Sequence, residues 1–268
     1  MTLSSQGLFP ALLKHWRNLR GLSQLDLALA ADVSARHISF LETGRAKPSR
    51  QMVLGLAANL NIPLRDQNVL LRSSGFKTEF DEPALGSPEL SSVDNALRYM
   101  LNKHDPFPMV VLDATYNLVA SNKSASKVLE LFVADPNRLT GKVNVLEMIF
   151  HPDLCRPFVQ NWETTAHTML ARLHREVLEK RHDERLKDLL EKLLSLPDVP
   201  HVWRQPCFSD KYYPSSTLTL KKGELHLAFM MTMTCFSFPQ SITVEELMIE
   251  SYFPLDEETE KTCIALCN

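Results

Sequence analysis

Between residues 8 and 75 apolar positions recur at helical spacing and the pattern breaks at short intervals, each break carrying a helix-end signal. The segment therefore predicts five short helices. The first runs from about Leu8 to Arg20, with Leu12, Leu13, Trp16 and Leu19 inward, and stops before Gly21, which suits a left-handed helix end. Ser23 caps the second, Asp26 completes a capping-box pair, and Leu22 can staple onto Leu27. Ser34 repeats the device for the third helix, with Val33 and Ile38 as its staple. Between the second and third helices lie Ala30, Ala31 and Asp32, too short a link for an antiparallel hairpin, and Ala28 is small enough for a close crossing. This is a helix-turn-helix pattern.

After residue 93 the periods mix. The stretch "FPMVVLDATYNLVASN" predicts two short strands around a turn near Asp113 to Tyr116, followed by a helix from about Ser124 to Phe132. Helical pattern then covers Asn161 to Leu196. Trp162, Met169, Leu170, Leu173 and Val177 share one face, and Leu186, Leu189, Leu190, Leu193 and Leu194 follow the charged cluster "KRHDER", read as a solvated face or a bend. Strands return at Ser216 to Phe238. There "GELHLAFMMTMTCFSF" alternates, with Leu225, Leu227, Phe229, Met231, Met233 and Cys235 on one face and His226, Ala228, Thr232 and Thr234 on the other. Gly223 falls in the hairpin turn, and "EELMIESYFP" supplies one more strand. The expected class is helix-rich α+β: an N-terminal five-helix repressor-type domain, then an antiparallel sheet with packed helices.

Length and composition agree with this picture. The 268 residues suffice for two domains, and only 8 glycines disfavour a turn-dense all-β fold. No run reaches the ~18 apolar residues of a membrane span, and no secretory leader pattern opens the chain. Five irregularly spaced cysteines suit a reducing cytoplasm rather than a disulfide framework. The polar stretch at 78 to 92 divides the charge unevenly. Residues 1–80 carry ten Lys/Arg against five Asp/Glu, and the rest nineteen against twenty-seven. We therefore expect a basic domain at 1–80, a linker at 81–92 and an acidic domain at 93–268, the first suited to a polyanion.

With Ile38 and Leu41 inward, Arg36, Ser39, Phe40 and Thr43 point the opposite way, Ala35 lies at the margin, and Ser34 opens the helix. In a major groove of double-stranded DNA, Arg36 can fork onto guanine and Phe40 can rest on a thymine methyl. Gln24, in the first turn of the second helix, is placed to meet a phosphate at that helix's positive end. Arg45, Lys47 and Arg50 add phosphate contacts that set register rather than sequence.

The stretch "RGLSQLDLALAADVSARHISFLETGRAKPS" resembles the Xre family of bacterial and phage repressor-type DNA-binding domains, through all five helices. The resemblance implies a phosphate contact for Gln24, base-facing places for Ala35, Arg36 and Phe40, and a buried ion pair between Arg17 and Glu42. Asp32 departs from the family's frequent glycine in the turn, at little cost, because Asp tolerates the left-handed conformation. The stretches "YNLVASNKSASKVL", "FHPDLCRPFVQNWETTAHTMLARLHRE" and "FPQSITVEELMIESYFPLDEET", in that order, resemble the MmyB-like ligand-binding domain, a PAS-like fold found behind Xre-type domains. That resemblance implies a small-molecule sensor with its pocket between sheet and helices and a fatty-acyl-like ligand. Trp162, Phe229, Met231 and Met233 are then read either as filled core or as pocket wall, and methionines suit a wall that adapts.

Metal and enzyme chemistry find little support. His151 and Cys155 stand four apart across Pro152, Cys263 and Cys267 lie on the terminal segment, and neither pair has a companion at metal-ligand spacing. No phosphate-binding loop, dinucleotide fingerprint, nucleophile elbow or zincin motif occurs, and Glu245, Glu246 and Glu250 read as surface or strand-end carboxylates. The expectation is a non-enzymatic, cytoplasmic bacterial regulator that needs no cofactor and no membrane and works as a homodimer. Its rivals are a DNA-targeted enzyme acting on an acyl compound and an antitoxin-like scaffold with a filled core.

Overall fold

In the computed structural model of the chain, residues 8–139, 141–180, 183–205 and 216–267 are described. They fall into two compact units. One gathers the residues up to Leu85 together with Ser237–Glu245, and the other holds Gly86–Phe236 and Glu246–Asn268.

The first unit contains the five helices that the spacing predicts: α1 (Leu8–Leu19), α2 (Gln24–Ala30), α3 (Ala35–Glu42), α4 (Arg50–Asn59) and α5 (Leu64–Ser73). Local signals set their ends. Ser23 and Asp26 form the reciprocal capping box, Ser34 Oγ accepts from the His37 N–H at 3.1 Å, and Ser49 does the same for Met52 at 3.2 Å. Gly21 and Asp32 both adopt positive φ, 67° and 52°, as the turns around α2 require. Leu13, Trp16, Leu27, Ile38, Leu41, Leu56 and Leu71 close one core.

The second unit is an antiparallel sheet of order β2-β1-β5-β4-β3 with helices packed on it. In chain order its elements are α6 (Ser91–His104), β1 (Met109–Leu112), β2 (Leu118–Ser121), α7 (Lys123–Leu131), α8 (Val145–Phe150), α9 (Trp162–Glu179), α10 (Glu184–Leu194), β3 (Ser216–Lys222) and β4 (Leu225–Thr234). The chain then passes through α11 (Ile242–Glu246) and ends with β5 (Met248–Pro254) and α12 (Glu257–Cys267). The β1–β2 turn is tied down by Asp113, whose Oδ1 accepts from the Thr115 and Asn117 N–H groups at 2.9 and 3.0 Å. Gly223, at φ 60°, turns the β3–β4 hairpin. Phe229 and Met231 of β4 join Leu218, Leu220, Val110, Leu112 and residues of α7 to α10 in a second core. Ala228, on the other side of β4, is buried too, and its N–H donates to Thr259 Oγ1 of α12 at 2.9 Å. Cys235, expected on the apolar face, lies past the end of β4 and is exposed. The "KRHDER" cluster coincides with the break between α9 and α10; Arg181 and His182 lie outside the described residues.

The segment between β4 and β5 leaves the second unit and packs in the first. There the Ile242 N–H donates to the Asp81 carbonyl at 2.9 Å and Thr243 Oγ1 to the Pro83 carbonyl at 2.6 Å. Helix α5 has Pro63 at its N-cap and no local side-chain cap; its Leu64 N–H donates instead to Glu245 Oε2 at 2.7 Å. A carboxylate at this end meets free N–H groups and the positive pole of the helix.

Candidate nucleic-acid interface and ligand cavities

Helix α3 buries Ile38, Leu41 and Glu42 and leaves Arg36 and Thr43 exposed, with Ala35, Ser39 and Phe40 half-buried. The Arg36 guanidinium lies over the Phe40 ring at 5.2 Å, so each side chain braces the other on the outward face. Thr43 Oγ1 donates to the Ser39 carbonyl at 2.8 Å, which leaves its methyl as the outward group. Beyond the helix, Gly44 at φ 71° turns the chain, and Arg45 and Lys47 are exposed. Ser34 is spent on capping.

Behind this face, Arg17 and Glu42 form a bidentate pair: Nε to Oε1 at 2.6 Å and Nη2 to Oε2 at 3.1 Å, with side chains 10% and 2% exposed. Arg17 Nη1 also donates to the Leu22 carbonyl at 2.7 Å, which links α1, the α1–α2 turn and α3. Burial by itself would raise the Glu42 carboxyl, but hydrogen bonds from Arg17 and Gln24 and the Arg17 charge reverse this and hold it below the usual range.

Two of the residues expected at phosphates are already engaged within the protein. Gln24 Nε2 donates to Glu42 Oε2 at 2.8 Å, so its side chain extends the ion pair inward, and its helix-end position alone still faces outward chemistry. Arg50 forms an ion pair with Glu79. Sequence spacing places these residues near a groove but cannot show that an acidic neighbour has claimed them.

In the second unit the sheet and its helices line an apolar cavity of about 330 Å³. Its wall includes Val110, Leu118, Val128, Phe132, Phe229 and Tyr252, and Ser121, Ser126 and Glu130 are its few polar borders. Of the four side chains expected at a pocket, Phe229 lines this space, whereas Met231 and Met233 line a second, smaller cavity. Trp162 lines neither. Its indole Nε1 donates to the Ile149 carbonyl at 3.0 Å, Arg156 stacks on its ring at 4.0 Å, and Trp203 lies 5.5 Å away, so it anchors α9 to α8.

Glu250 departs from the surface role expected of it. It stands on β5 two positions from both Met248 and Tyr252, hence on their core-facing side, and is buried. Tyr252 Oη donates to its Oε2 at 2.8 Å, yet burial outweighs this bond and the Arg172 charge and raises its carboxyl above the usual range. The signal available in the sequence was the place of Glu250 two positions from both Met248 and Tyr252 in a strand.

A family model described as the MmyB-like transcription regulator ligand binding domain matches residues 93–266, and one described as helix-turn-helix matches residues 13–67. The chain belongs to the MmyB-like regulator family. Both resemblances read from the sequence, the Xre-type one and the MmyB-like one, therefore hold. This MmyB-like chain is a DNA-binding transcription regulator with a small-molecule-binding domain, and its domains are those of a regulator rather than of an enzyme family. No curated protein sequence matches it. Among solved structures, the clp gene regulator ClgR from Corynebacterium glutamicum is similar at 23% identity over 40% of this chain and 99% of that one, with a TM-score of 0.25. An RNA-binding light-oxygen-voltage receptor is similar at 11% identity over 96% of this chain and 56% of that one, with a TM-score of 0.27. Neither superposition bears on the fold. Among the described residues of the MmyB-like chain, no three His, Cys, Asp or Glu side chains gather as a metal site, and no helix is long and apolar enough to cross a membrane.

Proposed function

We propose that this chain is a bacterial, cytoplasmic, dimeric operator-binding regulator whose second unit senses a small apolar or fatty-acyl-like molecule. The observation that carries the reading is the apolar cavity of about 330 Å³ between sheet and helices, in the ~300–1,000 Å³ range of ligand sites. A scaffold with a filled core would lack such a space. The sheet order β2-β1-β5-β4-β3 supports the PAS-like assignment. On the DNA side, Arg36 and Phe40 supply base readout and Arg45 and Lys47 phosphate contacts. One such helix makes too few contacts for operator-level specificity, whereas two related by a twofold axis read half-sites ~34 Å apart. The ligand acts only through unequal affinity for DNA-competent and incompetent states.

The test is selection of bound fragments from genomic DNA by the full-length protein before and after solvent extraction, with mass spectrometry of the extract. A palindromic site whose occupancy changes on extraction, with an acyl compound in the extract, is the expected result. Turnover of that compound would favour the enzyme reading. Repeated recovery of no compound, with unchanged DNA binding, would overturn the sensor.

A further inference from the structure

The apolar cavity has a polar neighbour on the same face of the sheet. This second cavity, of about 150 Å³, is bordered by Tyr116, Thr168, Arg172, Met231, Met233 and Glu250. Val145 borders both cavities. Tyr252, on the wall of the larger one, donates to Glu250, on the wall of the smaller, so the two walls are joined along β5.

The groups around the small cavity are unusual for a core. Arg172 is held by Glu176 at 2.9 Å, reaches Met248 Sδ at 3.2 Å and stacks on Tyr116 at 5.5 Å. The charges of Arg172 and Glu176 therefore offset each other, while burial raises the Glu250 carboxyl above the usual range. Tyr116 is only 3% exposed, and its hydroxyl makes no well-formed hydrogen bond among the described residues; burial and the nearby Glu176 carboxylate disfavour its ionisation. A buried hydroxyl left unpaired is a penalty that a bound acceptor removes. The surroundings thus present the Tyr116 O–H as a donor and, with Arg172 paired to Glu176, no uncompensated positive charge. An anion buried here would lack a counter-charge, whereas an uncharged acceptor needs only the Tyr116 donor.

We propose that the small cavity is the head-group subsite for the ligand whose chain fills the large one, and that it takes an uncharged carbonyl oxygen, as in a ketone, ester, lactone or amide, with Tyr116 donating to it. This rests on the sensor reading above. Selectivity then resides in the head: a carboxylate of the same chain length is the poorer ligand.

The test uses full-length protein and two ten-carbon probes, 2-decanone and decanoate, each displacing the fluorescent apolar dye N-phenyl-1-naphthylamine near neutral pH. The ketone should compete at least tenfold better than decanoate. Tyr116→Phe should weaken the ketone about tenfold and leave both the dye and decanoate unchanged. Glu250→Gln, which holds this position uncharged and still offers Tyr252 an acceptor, should retain the preference for the ketone. Equal competition by the two probes, a stronger decanoate, or a ketone indifferent to Tyr116→Phe would overturn the head-group assignment while the chain site stands. Failure of dye and both probes to bind at all would strike the sensor reading itself.

Discussion

Truncating Glu42 to Ala isolates the energetic weight of the pair that ties α1 to α3. The substitution removes two charge-assisted bonds from Arg17 and one from Gln24 and leaves a guanidinium 10% exposed with the Leu22 carbonyl as its remaining hydrogen-bond partner. Removing one member of a buried pair costs about 3–5 kcal/mol, and the slight exposure of Arg17 argues for the lower end, about 3 kcal/mol. Because ~1.4 kcal/mol is a factor of ten, amides of α1 and α3 that exchange through opening of this unit should exchange about a hundredfold faster. Hydrogen exchange with mass spectrometry on the full-length protein reads this directly. The pH dependence has a fixed sign. The folded Glu42 carboxyl is depressed, so the pair's contribution is complete above the unfolded value of ~4.3 and disappears as pH falls through the folded value. The gap between wild type and Glu42→Ala should thus be constant near neutrality and close in acid. A gap under about threefold at pH 7, or one that persists unchanged in acid, would refute the assignment.

Three further outcomes follow from the geometry. Arg36→Ala should cost roughly 1–3 kcal/mol and relax preference at one base position, whereas Arg45→Ala should weaken all sequences alike and flatten the salt slope by about one; quantitative binding to an operator and a scrambled duplex at several salt concentrations separates the two. Burial pushes the Cys155 thiol up to about 12, so iodoacetamide at pH 8 should label the exposed Cys235 and spare Cys155 in native protein, and equal labelling by peptide mapping would contradict the burial. Glu245→Ala should remove the side-chain acceptor from the first turn of α5 at a cost of about 1 kcal/mol, seen as faster exchange of its first amides with no change at α7.

The helices around the α2–α3 turn were legible because what ends them is local: Ser23, Ser34 and Asp32 each act within four residues of themselves, whereas the N-terminus of α5 depends on the distant Glu245. The strand pair around Asp113 and the alternation of β4 were legible for the same reason. What stayed hidden depends on distant partners. Trp162 reads as a large aromatic anchor before a pocket wall, but only folding supplies the Ile149 carbonyl, Arg156 and Trp203 that it is anchored to. Glu250 reads as a solvated charge, because Arg172 lies far off in the chain and the apolar positions flanking the carboxylate by two reveal its side but not its company. Gln24 and Arg50 occupy expected places, but their acidic neighbours Glu42 and Glu79 are set by the fold.

The excursion of Ser237–Glu245 into the first unit means that the polypeptide crosses between the units three times, next to Leu85, Phe236 and Glu246. A gene fragment ending at Leu85 would encode a reader missing one of its own pieces, with α5 uncapped and the Asp81 and Pro83 carbonyls short of their donors. Grafting this reader onto another sensor would require transplanting the returning segment as well, because its sequence is encoded within that of the sensor.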